Sequence, residues 1–389
     1  MIPTFPKITI FHTFDPKSDS PGGIETCIRG IIKYTHNCID IEIVGVDKGK
    51  GPESRKLGQF ETYELGSREY KFLPVARIDA TKRRLVPHAV KLVIGAIFFQ
   101  RKLDWNSLWQ AHRMDVALGI STLTRNRFNY FIHTQENGLT GKTSDSYWRF
   151  FGKVHKKLES WVVKKANFVV VFNKNHFAQI ARSKKNSVFS PTWFDPELLG
   201  NNQDRSTRHV YQITWVGRLE TPKDPKLSVE AFQHLLKVDS SKPWQLRIIG
   251  SGSLEGDLRS FLASLPLEVR ERVFFDGSQN HGDVMKSLSN SGLFLMTSWP
   301  GYEGYPRVLV EALASGLPCV VTDGSDTGGL ISHGNNGFIT SRVPSEIASA
   351  LESALSLQNK EISNSVSNLS APAVLSRIFA HPAAKVPLP

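Results

Sequence analysis

Residues 293–322 read LFLMTSWPGYEGYPRVLVEALASGLPCVVT, and this stretch decides the fold of its half of the chain. Its two ends, 293–296 and 319–322, are short apolar runs with the length and composition of buried strands. Between them lie a loop rich in proline and glycine and a helical segment over 307–315, which Gly316 ends as a natural cap. A strand, a helix and a second strand in this order predict a crossover between two parallel strands.

The same alternation of apolar runs and helical segments continues on both sides of this unit. In the C-terminal half it predicts strands at 211–216, 245–249 and 273–275 and helices at 224–236, 254–265 and 282–289. In the N-terminal half it predicts strands at 7–14, 41–46, 128–133 and 168–172 and helices at 24–35 and 146–165. The polar stretch 200–208 between the halves is typical of a linker.

These elements predict an α/β protein with two Rossmann-like domains that face each other across a cleft. We place the first domain at 1–200 and the second at 201–370, and we expect the tail 371–389 to return to the first domain. Ligands of open α/β sheets bind at the carboxyl ends of the strands. Side chains that directly follow a strand are therefore the candidate functional residues.

The composition is that of an ordinary globular protein. The chain has 389 residues, of which 40% are hydrophobic and 22% charged, which excludes disordered, collagen-like and coiled-coil proteins. Three cysteines without metal-ligand spacing argue against a disulfide framework and for a reducing compartment. No apolar run reaches about 18 residues, and the first residues lead directly into a predicted strand. We therefore expect no membrane-spanning helix and no secretory signal.

The positive charge is concentrated in one half of the chain. Residues 1–200 carry 31 basic and 18 acidic side chains, whereas residues 201–389 carry 17 basic and 18 acidic ones. Such asymmetry favours an anionic partner for the N-terminal half: a membrane surface, a nucleic acid or a phosphorylated ligand. The alternative is a basic surface that serves only solubility.

Two glutamates stand on either side of the predicted helix start in the opening stretch. Glu303 lies in the loop, and Glu311 lies well inside the helix. At about 100° per residue they would be roughly 80° apart even if both were helical, so we expect them to contact two different parts of one ligand. The amides of 304–307 lie at a helix N-terminus and offer an anion site. The alternative is a solvated Glu303 and a Glu311 that serves the helix.

Two cations follow the predicted strand that ends at residue 216. Arg218 and Lys223 lie on one short turn, before Asp224, which is placed to cap the next helix. A forked guanidinium and a compact ammonium at this spacing are able to hold the two phosphates of one diphosphate. The alternative is an ordinary loop with two solvated cations.

Two further candidates follow strands of the N-terminal half. The pair Gly22 and Gly23 lies before a predicted helix, where glycine lets the backbone approach a ligand closely. His133 ends the strand at 128–133, where an imidazole could contact a sugar or act as a base. The alternatives are a plain turn and a structural histidine.

With these motifs the chain resembles the retaining GT-B glycosyltransferases of family 4. The most specific element is the E-x7-E motif of EGYPRVLVEALASGLP, formed by Glu303 and Glu311. The stretches GRLETPKDP at 217–225, LRIIGSGSLEGDL at 246–258 and GNNGFI at 334–339 also fit the family. The resemblance is strong over 211–339 and thinner over the N-terminal half, where PGGIE at 21–25 and the strand-end histidine agree with it.

The resemblance implies a role for each candidate residue. In catalysis it implies that Arg218 and Lys223 hold the donor diphosphate, that Glu303 binds sugar hydroxyls and that His133 lines the sugar site and stabilises the transition state. It also implies that Glu311 binds the ribose of the donor. Further donor contacts are implied for the backbone at Gly22, Gly23, Gly304 and Tyr305.

The resemblance further implies a metal-independent reaction that uses a nucleotide-sugar as substrate. We find no Asp-x-Asp motif to hold a metal, so we expect no metal and no cofactor. The expected donor is a UDP- or GDP-sugar, and the expected acceptor is a glycan or a lipid-linked molecule. Pro306 departs from the family pattern, in which Glu-Gly-Phe-Gly is common, but still permits a helix start.

Two segments of the basic half suggest contact with an anionic membrane. Residues 82–102 are apolar with basic ends, and residues 147–165 mix aromatic and basic side chains. The alternative is that 92–99 is a buried core helix with solvated cations at its ends. We expect a cytoplasmic protein at the inner face of the plasma membrane.

The sequence therefore predicts a hexosyltransferase in bacterial polysaccharide or lipopolysaccharide assembly. One alternative is a soluble glycosyltransferase that modifies a small molecule such as an aminocyclitol. Another is a basic nucleic-acid-binding protein, although no nucleic-acid-binding module is present in the sequence. We expect no nucleic-acid partner.

Overall fold

The computed structural model of the chain describes residues 7–18, 22–78, 86–123, 128–133, 152–199, 208–357 and 361–381. These residues fold as two compact units. Unit 1 holds those described within 7–133, 152–190 and 372–381, and unit 2 holds those within 191–371. The division after Ser190 precedes the predicted domain boundary at 200. The predicted linker lies outside the described residues except for Arg208.

Unit 1 contains an eight-stranded sheet with the spatial order β3-β4-β2-β1-β5-β6-β7-β8. Its strands are β1 (Lys7–Phe11), β2 (Asp40–Asp47), β3 (Glu61–Leu65), β4 (Arg68–Arg77), β5 (Leu108–Ala111), β6 (Phe128–Ile132), β7 (Phe168–Val171) and β8 (Ser187–Phe189). Its helices are α1 (Gly23–Tyr34), α2 (His88–Phe98), α3 (Met114–Leu123), α4 (Gly152–Lys165) and α5 (Lys174–Ala181). The strands pair in parallel except β3 and β4, which form an antiparallel hairpin at the edge.

Unit 2 contains a six-stranded parallel sheet with the order β11-β10-β9-β12-β13-β14. Its strands are β9 (His209–Val216), β10 (Gln245–Ile249), β11 (Val273–Gly277), β12 (Ser291–Met296), β13 (Cys319–Thr322) and β14 (Gly337–Thr340). Its helices are α6 (Pro225–Val238), α7 (Glu255–Ala263), α8 (Leu267–Arg270), α9 (His281–Asn290), α10 (Arg307–Ala314) and α11 (Pro344–Ala354). The last described helix, α12 (Ala371–Ala380), belongs to unit 1 from Pro372 onward.

Burial explains why the apolar runs become central strands. Every residue of β6, β7, β12 and β13 is buried, as expected for parallel strands covered by helices on both faces. In unit 2, Trp215, Phe232 and Trp244 are fully enclosed in the core between the sheet and its helices. Gly316 follows helix α10 with a φ of +76°, the left-handed conformation that a helix-ending glycine adopts readily.

The structure corrects several predicted bounds. The first strand ends at Phe11 rather than at residue 14, and the helix predicted over 146–165 is described only from Gly152. The β3–β4 hairpin and the strands β5, β8 and β14 were absent from the predicted elements. Within the described ranges, no helix is both long and apolar enough to cross a bilayer.

A buried arginine fastens the loop that follows β2. The Arg55 side chain is 1% exposed and donates to Asp15 at 3.0 Å, to Asp47 at 3.3 Å and to Glu61 at 3.0 Å. It also donates to the Tyr63 hydroxyl at 2.7 Å. One guanidinium thus joins the ends of β1 and β2 to the hairpin strand β3, because its fork satisfies several acceptors at once.

Candidate active site

Two loops of unit 2 lie side by side because the strands before them are neighbours in the sheet. The β9 loop comprises residues 217–224, and the β12 loop comprises residues 297–306. The Trp299 amide donates to the Pro222 carbonyl at 2.8 Å. The Thr297 hydroxyl lies 3.0 and 2.8 Å from the carbonyl oxygens of two successive residues of the β9 loop. These bonds hold the two loops together as one surface.

Lys223 and Glu303 meet across these loops. The ammonium nitrogen lies 2.5 Å from Glu303 Oε1, and the Ser298 hydroxyl donates to the same oxygen at 2.7 Å. Both charged side chains are largely buried, with 15% and 12% of their surfaces exposed. The carboxylate is therefore held by a cation and a hydroxyl, a charge-assisted arrangement.

Arg218 is held by neighbours that the sequence did not single out. It donates to Glu220 Oε1 at 2.7 Å and to the Tyr302 hydroxyl at 2.9 Å. The ring of Tyr302 also faces the ammonium of Lys223, with 5.9 Å from the nitrogen to the ring centroid. Burial raises the pKa of Tyr302, which keeps the phenol protonated near neutral pH. Tyr302 therefore contacts both candidate phosphate-binding cations.

Glu311 occupies a separate part of unit 2. It lies in helix α10, is 3% exposed, and its Oε1 pairs with Nε2 of His281 at 2.8 Å. His281 is the first residue of helix α9, which follows β11 at the edge of the sheet. The sequence alone gave no signal for this pairing, because it depends on the packing of two helices thirty residues apart in the chain.

The N-terminus of helix α10 supplies backbone amides. Its cap residue, Pro306, makes no side-chain capping hydrogen bond, and the helix begins at Arg307. The carbonyl of Gly304 accepts from the Thr327 hydroxyl at 3.2 Å, which fixes the loop before the helix. Burial raises the pKa of Tyr305 to about 12, so this phenol stays neutral and is able to act as a hydrogen-bond donor. The first turn of the helix thus presents amides suited to an anion.

The candidate residues of unit 1 lie at the carboxyl edge of its sheet. Gly22 is the cap residue of α1, and Gly23 is its first helical residue. In the same turn, Glu25 is buried and accepts from the ammonium of Lys48 at 2.7 Å. Burial raises the pKa of Glu25, while the lysine opposes that rise. The glycine pair is therefore followed by a buried charge pair.

His133 directly follows β6, as the sequence predicted. Its Nε2 lies 2.9 Å from Nδ1 of His112, which follows the neighbouring strand β5. His112 was not among the predicted site residues, and the partnership depends on the pairing of two strands.

The structure thus groups the predicted residues in three places. Arg218, Lys223 and Glu303 form one contact chain through Tyr302 in unit 2. Glu311 lies in helix α10, which follows the β12 loop, and pairs with His281. Gly22, Gly23 and His133 lie in unit 1. In the described part of the chain, no cluster of three or more His, Cys, Asp or Glu side chains is arranged to hold a metal ion.

The E-x7-E pattern is formed by Glu303 in the β12 loop and Glu311 in helix α10. Both residues lie inside a region that matches one protein family. Residues 203–368 match the family model of the glycosyl transferases group 1. The matched region takes in most of unit 2 and includes Arg218, Lys223, Glu303 and Glu311. The region that matches this family model therefore contains the contact chain described above.

Two curated relatives match part of the chain. The UDP-Gal:alpha-D-GlcNAc-diphosphoundecaprenol alpha-1,3-galactosyltransferase of Escherichia coli is 28% identical over 132 residues, which cover 34% of this chain and 33% of that protein. The lipopolysaccharide 1,6-galactosyltransferase of Salmonella typhimurium is 32% identical over 111 residues, covering 28% of this chain and 29% of that protein. The matches span about a third of the length of these relatives.

Solved structures match both units of the chain. Anabaena HepE in complex with UDP and glucose gives a TM-score of 0.63 at 17% identity, over 95% of this chain and 97% of that one. Sucrose-phosphate synthase from Thermosynechococcus elongatus gives 0.72 at 15% identity, over 96% and 97%. These likenesses confirm the predicted fold class, two Rossmann-like domains of the GT-B type.

Proposed function

We propose that this protein is a glycosyltransferase that moves a hexose-type sugar from a nucleoside-diphosphate donor to a glycan or lipid-linked acceptor in bacterial polysaccharide or lipopolysaccharide assembly. The observation that carries the proposal is the contact chain of Arg218, Tyr302, Lys223 and Glu303 inside the glycosyl transferase region. The names of the relatives support the glycan class, and UDP in the HepE complex supports a UDP-sugar, with a GDP-sugar as the other donor.

Charge development explains what the two cations would do. Breaking the bond between a sugar and a diphosphate builds negative charge on the leaving diphosphate and positive charge on the sugar. Arg218 and Lys223 would stabilise that diphosphate more strongly in the transition state than in the bound substrate, which is what lowers a barrier. We therefore propose a reaction that needs no metal and no cofactor.

Donor binding would change the hydrogen-bond partners of Lys223 and Glu303. Lys223 pairs with Glu303, with 2.5 Å between Nζ and Oε1. A diphosphate competes for the ammonium with two negative charges, which frees one carboxylate oxygen to accept hydrogen bonds from sugar hydroxyls. Glu311, with His281 beside it, would accept from the ribose hydroxyls, and the amides near Gly304 and Tyr305 would bind phosphate or sugar.

Radiolabel transfer tests the proposal. The purified protein is incubated with labelled UDP-glucose, UDP-galactose, UDP-N-acetylglucosamine or GDP-mannose and a bacterial total lipid extract, in the presence of EDTA. We expect label from one donor in the lipid fraction and its release by an α-glycosidase, because these donors carry an α linkage that a retaining enzyme preserves. Loss of transfer in EDTA would contradict metal independence. Label only in a water-soluble product would favour the small-molecule alternative.

An exposed apolar face on helix α2 supports contact with a membrane. Val90, Ile94 and Phe98 follow one another at four-residue spacing, so they lie on one side of the helix. They are 41%, 59% and 79% exposed, whereas the opposite side packs into unit 1. The alternative prediction, a buried core helix at 92–99, therefore holds for only one side of helix α2. Large exposed apolar patches mark interaction sites.

The charges around this face fit an anionic lipid surface. Lys91, Arg101 and Lys102 lie on or next to α2, and residues 86–103 contain no acidic side chain. The basic residues at 82–84 and the aromatic ones at 147–151 of the predicted membrane segments lie outside the described residues. We therefore propose that α2 rests on an anionic bilayer, at the cytoplasmic face of the membrane where nucleotide-sugars are available.

Phe98→Asp is expected to weaken binding to vesicles of equal parts phosphatidylglycerol and phosphatidylcholine by about tenfold or more, since burial of one such side chain contributes about 1.5–3 kcal/mol. Cosedimentation measures the binding. Val238→Asp is the matched control, because Val238 is 70% exposed on unit 2. Equal loss in both variants, or no binding by the wild-type protein, would contradict the membrane proposal.

A further inference from the structure

Four aromatic rings contact one another in sequence at the carboxyl edge of the unit 1 sheet. Phe131 stacks on His112 at 4.6 Å between ring centroids, whereas His112 and His133 lie side by side, with 5.2 Å between centroids and 24° between planes. His133 in turn stacks on Phe172 at 4.5 Å, with 19° between the ring planes. Phe172 thus covers one face of the His133 ring and His112 contacts one of its edges, and these two contacts fix the orientation of the ring.

The side-by-side arrangement of the two imidazoles is that of a hydrogen bond in the ring plane. Nδ1 of His112 lies 2.9 Å from Nε2 of His133. A single hydrogen atom lies between these two nitrogens, so one of them donates and the other accepts. The assignment of donor and acceptor decides which tautomer His133 adopts.

The surroundings of His112 favour one assignment. The residue is 1% exposed, and burial lowers its pKa to about 3, so the ring is neutral and carries a single N–H. Its Nε2 is buried and has no hydrogen-bond partner among the described residues. Buried N–H groups without an acceptor are rarer and costlier than acceptors left unused. The hydrogen therefore belongs on Nδ1, which donates to His133.

We propose that His112 is a positioning residue that holds His133 as the neutral tautomer with its hydrogen on Nδ1. Nε2 of His133 then accepts from His112, and the one hydrogen of the neutral His133 ring is on Nδ1. Any hydrogen bond between this ring and a sugar oxygen would then be donated by His133, which does not act as a base at Nε2. This last step rests on the proposed function; the tautomer does not.

The hydrogen bond between the two imidazoles is incompatible with a second proton on His133. Protonation of His133 at Nε2 would place two N–H donors opposite each other, which would break the hydrogen bond between His112 and His133. His12, which is buried close by, has a pKa well below its usual value because of burial, His112, Arg113 and Lys48. The guanidinium of Arg113 is itself paired with Asp115 at 2.7 Å. The hydrogen bond from His112 therefore requires an unprotonated Nε2 on His133.

Nitrogen spectroscopy tests the tautomer directly. Protein labelled with 15N-histidine is examined at neutral pH by long-range 1H–15N correlation, and the signals of His133 are assigned by their loss in His133→Gln. We expect a pyridine-type Nε2 and a pyrrole-type Nδ1. A protonated Nε2, in either the opposite tautomer or the imidazolium, would overturn the proposal. The tautomer is read from the wild-type protein, and correlation of the ring with its own assigned backbone identifies the same signals should His133→Gln not fold.

A variant tests the role of His112. His112→Phe keeps a stacked ring and removes the hydrogen bond, so the His133 nitrogens are expected to shift toward averaged tautomers. His36→Phe, at an exposed histidine of the same unit, is the control and leaves these signals unchanged. We also expect kcat to fall about tenfold in His112→Phe with the donor KM unchanged. Should no transfer be detectable in the wild-type protein, the spectra still test the tautomer separately from the function.

Discussion

Lys223→Ala is expected to lower the rate of sugar transfer by about 100- to 1,000-fold, the effect of removing one preorganised charge-stabilising donor. The ammonium lies within a contact chain that also contains Arg218 and Glu303, and no second lysine follows it in the β9 loop. The loss is expected mainly in kcat, because the interaction strengthens as charge develops on the leaving diphosphate. Initial rates of label transfer measure the effect.

Lys226→Ala is the matched control for this prediction. Lys226 lies three residues further along the chain, is 56% exposed and pairs only with the nearby Glu230, at 3.4 Å, among the ion pairs of the described residues. Its removal changes the net charge of unit 2 by the same amount and is expected to leave transfer within about twofold of wild type. Equal losses in both variants would mean that overall charge, not the position of Lys223, matters.

Arg55→Ala is expected to destabilise unit 1 by about 3–5 kcal/mol, the cost of removing one partner from a buried charge network. The guanidinium is 1% exposed, and its loss would leave Asp15 and Asp47 buried beside each other without their shared cation. Urea unfolding followed by tryptophan fluorescence measures the change. The transition of unit 1 is read separately if the two units unfold in separate steps.

Arg77→Ala supplies the comparison for Arg55. Arg77 donates to the same carboxylate, that of Asp47, at 2.9 Å, but its side chain is 67% exposed. The guanidinium of Arg77 lies largely in water, and Arg55 stays beside Asp47 when Arg77 is removed, so this variant is expected to lose about 1 kcal/mol or less. A loss in Arg77→Ala as large as in Arg55→Ala would show that burial does not set the energy of this network.

The central strands could be predicted from sequence, and the edge strands could not. Strands such as β7 and β12 are continuous apolar runs because helices cover both faces of a parallel sheet. The hairpin strand β3 reads ETYEL, which is polar and half-exposed, and it forms because it pairs with β4 at the sheet edge. The first strand was predicted too long, since the chain turns away after Phe11 to bring Asp15 to Arg55.

The candidate site shows the same limit. Arg218, Lys223, Glu303 and Glu311 were predicted as candidates from residue type and from their places in the loops and the helix that follow two strands. Their partners were missed, because the contacts of Tyr302 depend on two loops that the β9–β12 pairing brings together. His281 and His112 likewise meet their partners only through helix packing and strand pairing. A single sequence contains no local signal for such long-range contacts.

Thermal unfolding in the presence of UDP, GDP, ADP, TDP and CMP tests the central claim that unit 2 binds a nucleoside diphosphate. A ligand that binds only the folded state stabilises it by about 2.7 kcal/mol at 100 times its Kd. We predict that one diphosphate raises the Tm and that Glu311→Ala loses this shift, whereas Glu346→Ala, at an exposed glutamate of helix α11, retains it. No shift with any of these nucleotides, or an unchanged shift in Glu311→Ala, would contradict the account.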